Sequence, residues 1–369
     1  MESRRGESEE LGEANPPLYG DLLREIISHV PLLHLLSAVH VSRSWRLAVS
    51  LSLRDDPSRA KPWLVLHFQS PRDPSRHRAR AYDPHSRAWL HLHPRVPPRV
   101  PLRASHSPLL FQLTPSRLSV SADALASSWS DLGAPRVWRS DPVVASFGGG
   151  CAVVAGGACG FEGEPLAVEV RDPISRAWTP APPVPEEFKG SDSATWLSVA
   201  VAGDSMHVHE RMSGLSCSFD PAAKIWEKPF RMRPDPSIFY SEIVSDGEDL
   251  IVVGISGEPE RVNGLRIWRV NREASDLDLM GEMPKEMVES LKAEDESLPS
   301  IGVASTGGIA YVYNPTRPIE IFFCDFSNGG RVTEWGRVVK MDGWDSMDRI
   351  VVSCSTVGID DLRRVNAYY

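Results

Sequence analysis

Three similar stretches of the chain decide its fold: ARAYDPHSRAWLHL (79–92), AVEVRDPISRAWTPAP (167–182) and LSCSFDPAAKIWEKPF (215–230). Each begins as a strand-like segment, continues through an Asp-Pro pair and reaches a tryptophan six residues after the aspartate. An aspartate side chain accepts hydrogen bonds from turn amides, and proline fixes the turn φ. The tryptophan opens the return strand and buries a large flat side chain against a neighbouring sheet. The pattern predicts a repeated β-hairpin.

Weaker copies of this hairpin occupy the rest of the chain. They place Trp129 between the first two copies, Leu277 where a tryptophan is expected, and Trp335 near the end. The six positions 89, 129, 178, 226, 277 and 335 are separated by 40, 49, 48, 51 and 58 residues. Repeats of about 40 to 50 residues are typical of four-stranded propeller blades, and kelch blades have about 50. No Gly-His…Trp-Asp signature accompanies the repeat, whereas Gly-Gly pairs do. The sequence therefore predicts a six-bladed, kelch-type β-propeller.

The markers of the blades are the aspartates before proline and the tryptophans that follow. They are Asp83, Trp89, Trp129, Asp172, Trp178, Asp220, Trp226 and Trp335. The first repeat contains only three strands before the second begins, and one strand, Arg349–Ser355, is left over at the end. We expect this last strand to complete the first blade, because such closure leaves no unpaired terminal edge.

The region before Pro62 has helical rather than strand-like periodicity. Leu22, Leu23, Ile26 and Ile27 recur at spacings of three and four, and Pro31 breaks the pattern. Two more apolar segments follow, so we expect three short helices. The predicted organisation is mainly β: an acidic disordered tail (1–16), the helical module (17–56), the propeller (62–358) and a C-terminal tail (359–369).

Composition excludes several classes of protein. A formal net charge of −9 argues against a general nucleic-acid binder. No run of about 18 apolar residues exists, so no membrane span is expected, and the charged N-terminus lacks the apolar region of a signal peptide. The five cysteines include no CxxC pair, which favours reduced thiols and a cytoplasmic or nuclear location.

The helical module resembles an F-box. The family pattern begins with Leu-Pro, continues through Leu-Leu and Ile to a Leu-Pro break, and then has Leu-Leu and Val-x-x-x-Trp-Arg. Its positions here are Leu18, Leu22, Leu23, Ile26, Val30, Pro31, Leu35, Leu36, Val41, Trp45 and Arg46. Tyr19 departs from the pattern, because a proline usually follows the first leucine.

An F-box followed by kelch repeats is similar to the plant F-box/kelch-repeat proteins. The resemblance implies a non-catalytic substrate receptor of an SCF-type ubiquitin ligase, some of whose relatives act on phenylpropanoid or flavonoid enzymes. The F-box would dock on the adaptor that links it to cullin and the RING subunit, and the propeller would bind the target protein. The alternative is a kelch scaffold outside any ligase, with a degenerate F-box. Residues that the resemblance implies for adaptor binding are Leu18, Leu22, Leu23, Ile26, Pro31, Leu35, Leu36 and Trp45.

Charged and metal-binding candidates lie in the propeller. Between Pro71 and Arg103 there are eight arginines and two aspartates, whereas residues 246–296 contain fourteen acids and six bases. We expect the arginine-rich loop to steer an acidic target through Arg72, Arg76, Arg78 and Arg80. Two histidine pairs, His91 with His93 and His207 with His209, each share a strand face but lack further ligands at familiar spacing. No cofactor, metal or nucleic acid is therefore expected.

Overall fold

The computed structural model describes residues 20–55, 61–96, 100–106, 108–126, 128–157, 164–271, 276–292, 296–318, 320–327, 330–341 and 347–364. Two compact units divide the chain, residues 1–60 and 61–369. The tail predicted over 1–16 lies outside the described residues.

The first unit contains the three predicted helices. They are α1 (Gly20–His29), α2 (Leu32–Ala38) and α3 (Arg43–Asp55). Pro31 precedes α2 with φ −53° and ψ 145°, so the chain leaves helical geometry there. Asp21 lies in the first turn of α1, where its negative charge is favourable at the positive end of the helix dipole.

The second unit begins with three blades of antiparallel strands. The first contains β1 (Pro62–Gln69), β2 (His77–Asp83) and β3 (Ala88–Leu92). The second contains β4 (Arg103–Ala104), β5 (Leu110–Thr114), β6 (Arg117–Ser121) and β7 (Ser130–Asp131). The third contains β8 (Val143–Ser146), β9 (Ala152–Ala155), β10 (Val168–Arg171) and β11 (Trp178–Ala181).

Three further blades and a final strand follow. The fourth contains β12 (Leu197–Ala202), β13 (Ser205–Glu210), β14 (Leu215–Asp220), β15 (Ile225–Trp226) and β16 (Phe230–Arg231). The fifth contains β17 (Ile238–Asp246), β18 (Asp249–Glu258), β19 (Arg261–Asn271) and β20 (Asp276–Glu282). The sixth contains β21 (Gly302–Thr306), β22 (Ile309–Tyr313), β23 (Ile321–Asp325) and β24 (Glu334–Arg337), and β25 (Arg349–Thr356) follows it.

The ring closes as the strand count predicts. The first sheet has the order β25-β1-β2-β3, so the last strand of the chain completes the first blade. All eight residues of β1 pair with β25, from Pro62 opposite Thr356 to Gln69 opposite Arg349. Both chain ends of the propeller are thus held in one sheet, and the six-bladed prediction is confirmed.

The core of the propeller lies between neighbouring blades. Leu109 and Phe111 of the second blade pack with Val144 and Val154 of the third, and the other junctions hold comparable clusters. Each blade is covered by a neighbouring blade on either side, so its inner strands can be buried on both faces. Strand β1 is buried in this way along its whole length. Stability is therefore distributed around the ring.

Two short helices accompany the strands of the second unit. The first, α4 (Lys285–Leu291), lies between β20 and β21. Residues 359–369 were expected to be a tail, but Ile359–Arg364 form α5, whose Leu362 is buried.

Candidate functional site

The Asp-Pro turns have the geometry that their sequence suggests. The Asp172 carboxylate accepts the amides of Ile174 and Ser175 at 3.0 and 2.7 Å. Asp220 accepts the amides of Ala222 and Ala223 in the same way, at 2.8 and 2.9 Å. Asp83 accepts the amide of His85 at 2.9 Å and the hydroxyl of Ser86 at 2.7 Å. These bonds to the charged carboxylate, chiefly from Ser175, hold the pKa of Asp172 below its usual range.

The marker tryptophans join each outer strand to the preceding blade. The indole Nε1 of Trp178 donates to the Leu132 carbonyl at 2.9 Å. Trp226 donates to Pro182 at 3.0 Å. Trp89 donates to Val339 at 2.8 Å, across the closure of the ring. Trp129 and Trp335 pack against hydrophobic clusters that include residues of the preceding blade. The hairpin motif therefore fastens one blade to the next.

One glycine pair in the third blade permits a close approach of backbones. Gly156 and Gly157 follow β9 with φ of +63° and +64°. A Cβ atom on Gly156 would collide with the Asp192 carbonyl, and one on Gly157 would collide with Asp141. The other predicted Gly-Gly segments lie in the turns before β9 and β22.

The helix α1 carries two apolar rows, each with spacing i, i+4. Leu23 and Ile27 are buried, each with 1% of its surface exposed. Leu22 and Ile26, one position earlier, are 58% and 38% exposed. Because Leu22 and Ile26 are exposed to solvent, most of their apolar surface is not buried by the folding of the helical module. An exposed row of this kind is a candidate surface for contact with a partner.

The remaining predicted adaptor residues fall into three groups. Leu35 is buried at 0% exposure, so neither it nor Leu23 presents a side chain to a partner. Pro31, Leu36 and Trp45 are half-buried. Leu18 lies outside the described residues. Leu23 and Leu35 are buried because a three-helix unit this small needs its large apolar side chains for its own core.

Two exposed apolar residues were missing from the predicted adaptor set. Val41, between α2 and α3, and Leu47, on α3, are each 60% exposed. The indole Nε1 of half-buried Trp45 has no hydrogen-bond partner among the residues that the structure describes. Exposure of Val41 and Leu47 could not be inferred from spacing, because both follow the same apolar pattern as buried neighbours.

Comparison with known proteins agrees with this geometry. Residues 19–55 match the F-box domain family. The chain is 36% identical to the F-box/kelch-repeat protein At1g23390 of Arabidopsis thaliana, over 96% of this chain and 93% of that protein. The chain belongs to the F-box/kelch-repeat protein family. Members of this family are non-catalytic adaptors of ubiquitin ligases.

A solved structure also aligns with the chain. Hydrazine synthase of Kuenenia stuttgartiensis covers 70% of this chain, and 76% of that chain is covered in return. The TM-score is 0.40 and the identity 14%, so this similarity supports no inference about the F-box/kelch-repeat protein. Within the described residues, no helix is long and apolar enough to cross a membrane.

The arginines of the first kelch blade differ in their surroundings. Arg72 and Arg76 are exposed in the turn between β1 and β2. Arg78 pairs with Asp348 at 2.6 Å, which offsets its charge. Arg80 is half-buried on β2, opposite His91. Arg78 is exposed as well, but of these four arginines only Arg72 and Arg76 combine exposure with no ion pair among the described residues.

The second histidine pair of the kelch blades, His207 and His209, has two different surroundings. His209 is buried and bonds Ser216 and Ser241, each at 2.8 Å, while His207 is half-buried. Burial lowers the pKa of His209 to about 3, with help from Arg211 and Arg233. No group of three or more His, Cys, Asp or Glu within the described part of the chain could hold a metal ion.

A buried polar network lies beside the cavity that the inner strands enclose. Arg211 Nε contacts Glu242 Oε1 at 2.7 Å, and the hydroxyls of Tyr240 and Ser198 donate to the same carboxylate at 3.0 Å each. Arg211 also donates to the Ala194 carbonyl at 2.7 Å. With its charges paired in this way, the network holds the fourth and fifth kelch blades together.

Proposed function

We propose that this protein is the substrate-recognition subunit of an SCF-type E3 ubiquitin ligase. The observation that supports this most is the exposed apolar row of Leu22 and Ile26 on an F-box that precedes a complete propeller. The F-box has an apolar surface for a partner to cover, and the propeller is a closed ring whose loops can bind a target. The F-box implies a Skp1-type adaptor as that partner.

The mechanism is positional. The adaptor covers Leu22, Ile26 and the half-buried Leu36 and Trp45, in the manner of apolar anchors entering a groove. Through the adaptor the chain joins cullin and the RING subunit. The propeller holds the target, which raises the effective concentration of target lysines near the charged ubiquitin carrier. Ubiquitination then directs the target to the proteasome.

The target class comes from the resemblance to plant relatives. An enzyme of phenylpropanoid or flavonoid synthesis is the class proposed.

Arg72 and Arg76 attract an acidic region of such a target. Reversing both charges should slow association at low salt and leave it unchanged at high salt, because exposed charges are screened. The proposed location is the cytoplasm or nucleus, in keeping with the absence of a disulfide among the described cysteines Cys151, Cys217, Cys324 and Cys354.

Coexpression tests the assignment. The full chain is produced with a plant Skp1-type adaptor, cullin and RING subunit, and the mixture is separated by size exclusion. The proposal requires all four proteins to elute together. Elution of the chain alone would instead support the alternative of a scaffold with a degenerate F-box. Affinity purification from plant cells with the proteasome inhibited then identifies the target.

A further inference from the structure

The connections between strands lie on two faces of the propeller, because neighbouring strands of each blade run in opposite directions. One face, the turn face, carries short turns within the blades, among them 84–87, 203–204 and 221–224. The other, the loop face, carries the turns between second and third strands and the longer connections between blades. Examples on the loop face are 70–76, 132–142, 182–196 and 211–214. Long surface connections on a rigid scaffold are where binding residues usually occur.

Both ends of the propeller chain lie on the turn face. β1 begins at Pro62, which pairs with Thr356 at the end of β25. Lys61, the residue before β1, pairs through Nζ with Asp325 at 3.2 Å, and Asp325 is the last residue of β23. The chain therefore enters and leaves the ring on the turn face. A protein that binds the loop face does not meet either of these chain ends.

Three large apolar side chains are exposed on the loop face. Trp138, Trp196 and Met212 are 41%, 48% and 46% exposed. Tryptophan is enriched at the centres of protein interfaces, because its large ring buries much apolar surface on binding. Ile174 and Ile225 are exposed on the turn face, but each is a single aliphatic side chain at a separate Asp-Pro turn. The loop face is thus the one with exposed aromatic side chains.

Hydrogen bonds hold these three side chains in one stretch of surface. The Asp141 carboxylate accepts the amide and the hydroxyl of Thr195 at 2.9 and 2.7 Å, which joins the connections that carry the two tryptophans. The Arg211 amide donates to the Trp196 carbonyl at 3.1 Å, which joins the turn that carries the methionine. The three side chains therefore belong to neighbouring segments that are fixed to one another.

Exposed arginines lie beside the apolar side chains. Arg233 donates to the Met212 carbonyl at 2.6 Å, and Arg136 is two residues before Trp138. Both arginines are exposed, and neither has an ion pair among the described residues. Together these residues form the loop-face patch, which consists of Arg136, Trp138, Trp196, Met212 and Arg233.

The acids near the loop-face patch do not cancel its charge. Three of their carboxylates already accept backbone amides, those of Asp141, Glu210 and Asp235. Asp192 is half-buried. Glu186 and Glu187 are exposed, but they lie towards the outer strand β11, whereas Trp196 directly precedes the inner strand β12. Exposed guanidinium groups beside apolar side chains favour a ligand with carboxylates beside apolar residues.

We propose that a ubiquitination target binds the loop-face patch through a segment that carries apolar side chains between carboxylates. The arginine-rich turn between β1 and β2 lies on the same face, where it meets an acidic region of the same target. The proposal rests on the proposed function in one respect, namely that the ligand belongs to a ubiquitination target. Binding to the patch is measured without the adaptor, so a failure here is distinct from a failure of the ligase assignment.

The probe is the peptide acetyl-Glu-Asp-Leu-Phe-Leu-Asp-Glu-amide, titrated into the full chain labelled with 5-fluorotryptophan. The ¹⁹F signals of Trp138 and Trp196, assigned with Trp138→Phe and Trp196→Phe, should shift and saturate. A control peptide with alanine for its leucines and phenylalanine, and another with lysine for its acids, should each bind at least about tenfold more weakly. Absence of a shift at both tryptophans would overturn the proposal, and equal binding of a control peptide would overturn the part that it tests.

Variants on the two faces provide the second test, with binding of the fluorescein-labelled peptide measured by anisotropy. Trp196→Ala/Met212→Ala should weaken binding at least about tenfold, while Ile174→Ala/Ile225→Ala, the matched pair on the turn face, should bind as the wild type does. Wild-type affinity of the loop-face pair, or an equal loss in the turn-face pair, would exclude the patch.

A charge exchange tests the arginines separately from the apolar side chains. Arg136→Glu/Arg233→Glu should weaken binding of the acidic peptide and strengthen binding of the lysine peptide, because the charges are then complementary again. Circular dichroism checks that each variant is folded. Unchanged affinity of the charge variant for both peptides would remove the two arginines from the proposed site.

Discussion

The F-box and the propeller treat their apolar side chains in opposite ways. Along α1 one apolar row is buried and the adjacent row is exposed, so Leu22 and Ile26 lie in solvent. Along β1 all eight residues are buried, on both faces, and the strand is paired on both edges. The propeller completes its own core by closing into a ring. The F-box leaves one apolar row uncovered, as the docking role proposed for it requires.

The largest effect should come from opening the ring. Deleting residues 349–369 removes β25, the partner of β1 along its whole length. The first blade would then expose an apolar edge strand, and we expect no folded monomer, as judged by circular dichroism and size exclusion. Deleting residues 359–369 instead keeps β25 and should leave the ring folded. A folded monomer after the longer deletion would contradict the role assigned to closure.

The next largest effect concerns the fastening between blades. Trp178→Leu removes a 9% exposed indole and its bond to the Leu132 carbonyl. We expect the free energy of unfolding to fall by about 2 to 4 kcal/mol, from lost burial and the lost hydrogen bond, although the Leu132 carbonyl keeps its bond from Arg171 at 3.1 Å. Leu277→Trp, at the equivalent position of the fifth blade, should lower it by less than about 1 kcal/mol, because the groove of about 1100 Å³ that Leu277 lines leaves room for the indole. Urea unfolding measures the change in unfolding free energy for both variants. Equal losses would contradict the statement that Trp178 fastens its blade more strongly than Leu277 does.

The smallest predicted effect is a dependence of propeller stability on pH. The pKa of buried His67 and His209 is about 3, against 6.5 for an ordinary histidine. Between these values only the unfolded chain binds the proton, so acidification favours unfolding. Each histidine should account for a loss of about 2 kcal/mol between pH 7.5 and 5.0.

A variant separates His209 from other groups that titrate. His209→Gln keeps polar atoms near Ser216 and Ser241 but cannot bind a proton in this range. We expect the loss of stability on acidification to shrink by about 2 kcal/mol, while His67 keeps its share. An unchanged slope of unfolding free energy against pH would show that His209 is not held neutral by burial.

The repeat made the fold predictable because each copy contains its own turn chemistry. Asp172 and Asp220 bind their turn amides locally, and Trp178 and Trp226 bury their side chains at equivalent places. The two-residue strands, such as Arg103–Ala104, could not be anticipated, because so short a segment shows no periodicity.

The candidate sites were less accessible to prediction. Leu22 and Leu23 belong to rows with the same i, i+4 spacing, so only packing decides which row is buried. The Arg211–Glu242 pair joins residues 31 positions apart, and no local pattern connects them. The absence of tryptophan at Leu277 was visible in the sequence, but the groove that Leu277 lines was not. A groove depends on what the neighbouring blade places opposite it.

Binding of the adaptor to the full chain tests the central claim most directly. Isothermal titration with a plant Skp1-type adaptor should show tight binding by the wild type and by the control Ile174→Asp/Ile225→Asp, whose side chains are exposed elsewhere. Leu22→Asp/Ile26→Asp should bind at least a hundredfold more weakly, because two central anchors cost about 2 kcal/mol or more each. Equal affinity of the two double variants, or no binding by the wild type, would contradict the assignment of the exposed row as the docking surface.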